Sequence, residues 1–196
     1  MTPSAERGER RAPAGDPGPA RRAQHALELA LARWREHASL PFAPPYDDPA
    51  DLESFTGPAQ AYVVEVLAWM RALDDFYRGQ QTGVTARPGY REARLRRMGI
   101  LLDGARFAVN KSLHVLITPV RMPPVQLRAV ASPGSLPMAP VIPLAAIYLW
   151  PDLSGLPVDS KESPKAREAY AARYADQSVG TTIDELAAWF LEAWKP

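Results

Sequence analysis

The sequence contains no cysteine. That excludes disulfides, thiolate metal sites and a cysteine nucleophile. Histidine is scarce, at three residues, so imidazole acid–base chemistry has few places to reside. Charge of one sign is not in excess: 23 Lys and Arg stand against 22 Asp and Glu, a net of +1. No global field therefore points to nucleic acid, a membrane or an acidic partner. Long apolar runs are missing as well. The longest, Leu136 to Trp150, is broken by Pro137, Pro140 and Pro143. It falls short of the ~20 residues of a spanning helix and reads as a buried extended segment. The chain has no Gly-rich phosphate loop, nucleophile elbow or dinucleotide fingerprint, so no cofactor is expected. Its first twenty residues hold no continuous apolar stretch and read as neither signal nor anchor. The expectation is a cytoplasmic protein without a membrane partner.

What is present is an ordinary globular composition, 46% hydrophobic, with an unusual 21 prolines. Residues 1–19 are rich in Pro, Gly, Arg and Glu and read as a disordered tail, because ordering them would bury little. Residues 20–196 read as one helical domain. Ala23, Leu27, Ala30, Leu31 and Trp34 recur at helical spacing and predict a first helix over Arg21 to Ala38. A second helix is expected over 57–78, capped by Thr56 and opened by Pro58. Its apolar arc comprises Tyr62, Val66, Trp69, Leu73, Phe76 and Tyr77. A long third helix is expected over 90–117, ended by Pro119. The second and third helices would form a central antiparallel pair. Residues 119–157 read as a small β-hairpin or extended Pro-rich element, with strands at Val125 to Val130 and Ala145 to Trp150. Short helices over 163–175 and 183–195 follow, the first capped by Ser163 and opened by Pro164, the second marked by Thr182 and Glu185. The fold class is mainly α.

The long helix carries the chemically suggestive feature. At ~100° per residue, Asn110, Asp103, His114 and Arg96 all fall within about 80° of Arg106, with Gly99 among them. Leu95, Met98, Leu102 and Val109 occupy the adjacent arc, which predicts a buried seam bordered by the polar stripe. One reading is a wet helix face with ordinary three- and four-residue pairs. The other is a site in which His114 moves a proton, Arg106, Lys111 or Arg96 stabilises phosphate charge, and Asn110 orients either.

The segment Val109-Asn110-Lys111-Ser112-Leu113-His114 resembles the motif of the HEPN superfamily, an arginine, a short spacer and a histidine, often with Asn directly after the arginine. The resemblance implies a helical, often dimeric ribonuclease or RNA-binding module with His114, Asn110 and Arg106 in the site. Val109 stands where that arginine would be, so the resemblance implies a degenerate nuclease or a binding module. Arg106 lies three residues upstream, and Lys111 is the other substitute. The run from Trp69 through Asn110 and His114, then Ile147 to Pro157 and the last helix, is similar to a group of uncharacterised helical proteins of actinobacteria. That likeness implies a shared fold and supplies no activity.

Other clusters are read as structural. Arg87, Arg91, Arg94, Arg96 and Arg97 crowd a helix start, where they oppose the helix dipole, so an acidic partner nearby is expected. Asp74-Asp75 and Asp47-Asp48 lack a His or Glu at ligand spacing, and no metal is expected. Trp150, Trp189 and Trp194 read as core aromatics. The functional expectation is a non-catalytic interaction or regulatory module, with the Pro-rich apolar segment 136–150 docking a protein partner or a second copy in a homodimer. The alternative is an RNA-binding protein or degenerate ribonuclease of the HEPN kind, with Arg96 and Lys111 touching RNA.

Overall fold

In the computed structural model, described residues are 18–40, 49–80, 85–111, 118–120, 147–158 and 162–194, with the side chains of 49–55 and 118–120 outside that description. Five helices dominate them. Helix α1 spans Pro19–Ala38 and α2 spans Pro49–Tyr77. Helix α3 covers 90–111, an α-turn Tyr90–Ala93, a π segment Arg94–Met98 and an α segment Gly99–Lys111. Strands β1, Thr118–Val120, and β2, Ile147–Leu149, pair antiparallel. Helix α4 spans Pro164–Arg173, and α5 spans Val179–Ala188 and continues as a π segment Trp189–Ala193. The fold is mainly α, as the periodicity predicts. No described helix is long and apolar enough to cross a membrane. The tail 1–17, the expected strand at Val125 to Val130, Asp47-Asp48 and the end of the third helix from Ser112, with His114, lie outside the described residues.

The predicted stripe of α1 is its buried face: Leu27, Ala30, Leu31 and Trp34 are all shielded. Each such large apolar side chain contributes about 1.5–3 kcal/mol on leaving water. They pack against Ala59, Val63, Val66, Leu67, Met70 and Leu73 of α2. The two helices run antiparallel, since Gln24 reaches Tyr77 while His37 lies beside Tyr62. Helix α2 starts eight residues before the expected 57. Pro49 takes the first position, where its missing N–H costs nothing, and Pro58 sits inside the helix. Gly57 precedes it and carries no Cβ to meet the following proline ring, which removes part of the usual clash.

The extensive helix pairings are α1 on α2 and α3 on α4, with a narrower α2–α3 junction between them. Helices α3 and α4 also run antiparallel: Glu162 meets Lys111, and the Tyr174 hydroxyl donates to the Leu101 carbonyl. Gly104 makes this approach possible. A Cβ there would lie 2.5 Å from the Tyr174 ring. Helix α5 closes the core. Phe190 stacks on Tyr77, and Trp189 and Trp194 pack against Tyr90. Its start is corrected from Thr182 to Ser178, whose hydroxyl accepts from the Thr181 N–H. Thr182 lies inside the helix, buried, and bonds back to the Ser178 carbonyl.

Candidate functional site

The junction of α2 and α3 is built around Asp74, which is 1% exposed. Burying a lone carboxylate costs several kcal/mol, so partners must surround it. Arg94 Nε donates to its Oδ1 at 2.8 Å, and the Tyr90 hydroxyl donates to the same oxygen at 2.8 Å. Arg106 Nε and Nη2 donate to Oδ2 at 3.2 and 3.1 Å. Arg106 also bonds Asp75. Arg94 Nη2 continues to Asp103 at 2.8 Å, and Lys165 of α4 lies 3.1 Å from the other oxygen of Asp103. The network therefore ties α2, α3 and α4 together. Burial pushes the Asp103 carboxyl up, but hydrogen bonds from Arg94 and Lys165 outweigh it and hold the group below its ordinary range. Of the basic start of α3, Arg94 meets the acidic partners Asp74 and Asp103, while Arg91 donates to the Arg78 carbonyl and Arg97 lies over the Trp189 ring.

The sequence candidates divide around this network. Arg106 is committed to Asp74 and Asp75. Lys111 is buried, 2.8 Å from Glu162, and donates to the Pro157 carbonyl at 2.7 Å. Burial raises the Glu162 carboxyl, yet Lys111 and Arg167 together hold it below its ordinary range. Arg96 is exposed, 3.8 Å from Glu92. Asn110 is exposed, and its Oδ1 accepts from Arg71 of α2 at 2.8 Å. His114 lies outside the described residues. Arg106 and Asn110 are thus linked through α2, because Arg71 also lies 3.9 Å from Asp75. Arg71 carries no signal in the sequence; only the fold brings it from 39 residues away.

One expectation for α3 is overturned. Leu95, read as part of the buried seam, is 69% exposed. The face that α3 buries runs through Tyr90, Arg94, Met98, Leu101, Ala105 and Ala108. At ~100° per residue Leu95 falls at the edge of that face, on the side of Gly99. Together with Ile100, 58% exposed, it frames a groove of ≈ 380 Å³ between α3 and α4. Gly99, Ala169 and Ala172 supply small residues to its lining, and Asp103, Lys165 and Glu168 supply charges. Apolar periodicity alone cannot reveal this groove, because its second wall comes from α4.

Among the described residues no group of three or more His, Asp or Glu is placed to hold a metal ion. Asp74 and Asp75 instead receive guanidinium groups. No family model matches the chain, and no curated protein and no solved structure matches it.

Proposed function

We propose that this chain is a non-catalytic helical interaction module that meets a protein partner at the groove between α3 and α4. The observation that carries this reading is the committed state of two of the three cations available for phosphate chemistry, Arg96 alone being exposed. Arg106 is held by two carboxylates and Lys111 by Glu162. A transition-state stabiliser must be aimed at developing charge on a substrate. These two are aimed at the protein. The exposed apolar pair Leu95 and Ile100 beside the groove is the kind of feature that marks contact surfaces. A cytoplasmic setting belongs to the same proposal.

A second reading rests on one contact. Arg71 reaches Asn110 and brings a guanidinium from α2 to the place where Val109 supplies none. It supports an RNA-binding or degenerate ribonuclease surface of the HEPN kind, with Asn110 and His114. The two readings separate in a binding and cleavage assay on RNA, with wild type and His114→Ala side by side. The interaction module cleaves nothing and binds RNA only weakly, alike in both forms. Cleavage by wild type that disappears in His114→Ala overturns it.

A further inference from the structure

The charged network has two exposed ends and a dry middle. At the groove, Lys165 is 77% exposed and lies 3.1 Å from Asp103 Oδ2. In the middle, Arg94 is shared. Its Nη2 donates to Asp103 Oδ1 and its Nε to Asp74 Oδ1, both at 2.8 Å. The Arg94 and Asp74 side chains are both buried. Asp74 Oδ2 accepts from Arg106, which also holds Asp75. Asp75 lies 3.9 Å from Arg71, and Arg71 donates to the exposed Asn110 at the other end. Cation and carboxylate thus alternate all the way from Lys165 to Arg71. In the middle, away from water and salt, each charge is felt strongly by its neighbours. One planar guanidinium serves both Asp74 and Asp103, so Arg94 tightens on one only by loosening on the other.

We infer that this chain of charges is a relay between the groove and the Arg71–Asn110 surface. When a carboxylate on a partner draws Lys165 off Asp103, Asp103 is left with Arg94 alone. Arg94 then tightens on Asp103 and loosens on Asp74. Asp74 draws Arg106 harder, Arg106 eases off Asp75, and Asp75 pulls Arg71 away from Asn110. The effect alternates in sign from bond to bond and ends in an altered surface on the α2 side. By linkage, a change at Arg71 is felt equally at Lys165. The relay rests on the interaction reading above only for what occupies the groove.

Side-chain NMR of the full chain tests this, with Lys165→Met standing for a groove in which Asp103 has lost its lysine. In Lys165→Met the Arg106 Nε–H exchanges with water several-fold more slowly than in wild type, and the Asn110 side-chain amide resonances shift. Glu168→Gln is the control. Glu168 lines the same groove from the same helix but forms no ion pair among the described residues, and its variant leaves both signals in place. In Arg94→Lys a single ammonium replaces the two-armed guanidinium, and there Lys165→Met moves neither signal. Circular dichroism confirms which variants are folded. If Arg94→Lys is not, the comparison of Lys165→Met with Glu168→Gln, both at exposed positions, decides alone. Arg106 and Asn110 signals that respond no more to Lys165→Met than to Glu168→Gln overturn the relay. A response that persists in folded Arg94→Lys overturns it as well. Neither result touches the interaction reading, whose own failure shows as RNA cleavage that depends on His114.

Discussion

Asp74 is the residue on which most of the junction depends. It accepts from Arg94, Arg106 and Tyr90 in a nearly dry setting. Replacing it with Asn removes the charge that neutralises two guanidinium groups but keeps the shape. Breaking a buried pair in this way leaves charge uncompensated, and Asp74→Asn is expected to lose about 3 kcal/mol of stability in urea unfolding. The pH dependence has a definite sign. Asp103 and Glu162 are both held below the ordinary carboxylate range. The stability they confer is complete above about pH 5, where the unfolded chain is also ionised. It is lost as pH falls through the ordinary carboxylate range and on through their own lowered range. The urea midpoint of wild type should therefore fall on acidification below about pH 5, and less steeply in Asp103→Asn and Glu162→Gln. Equal slopes in all three would contradict the assignment.

At the scale of elements, local chemistry was legible where it acts locally. The stripe of α1 is read correctly because Leu27, Ala30, Leu31 and Trp34 need only one helical period to declare a face. Ser163 and Pro164 open α4 as expected, because a cap and a first-position proline are adjacent in sequence. Two helix starts were misplaced where the chain offers competing signals. Pro49 and Pro58 both suit a first position, and Ser178 and Thr182 both suit a cap. Ser178→Ala should accordingly cost about 1 kcal/mol, the usual loss for a cap. Arg78, 3.7 Å from Asp74, is its neighbour one turn on, but the hydrogen-bond donors to Asp74 were not legible, since they come from 16 to 32 residues away. The exposure of Leu95 was not legible either, because the neighbouring helices decide where the buried arc of α3 is centred. Of the candidate site, Asn110 and Arg106 are neighbours on one helix as predicted, but what each touches was decided by α2. The close packing of α3 on α4 makes a further prediction. Gly104→Ala would drive a methyl group into the buried Tyr174 ring, which its own hydrogen bond to Leu101 holds in place. Overpacking of this kind costs about 1–3 kcal/mol, measurable as a lower thermal midpoint.

Across the whole molecule, aromatic rings and the charged network join the helices. Tyr77, Tyr90, Tyr170 and Tyr174 contribute from α2, α3, the body of α4 and its end. Burial pushes each of their hydroxyls above the ordinary range, aided at Tyr90 by the Asp74 charge and opposed at Tyr77 by Arg87. Their contribution to stability is complete below about pH 10 and is lost as pH rises through their raised values. An alkaline titration followed by phenolate absorbance and circular dichroism should show these four hydroxyls ionising together with the loss of the fold.

Arg106, the best-placed cation of the polar stripe, joins α3 to α2 through Asp74 and Asp75. Equilibrium urea unfolding of Arg106→Gln tests this structural role most directly. A loss of about 2 kcal/mol is expected, from two carboxylates deprived of charged hydrogen bonds, with an unchanged denaturant slope. A variant within about 0.5 kcal/mol of wild type would contradict that role and return Arg106 to the candidates for a binding site.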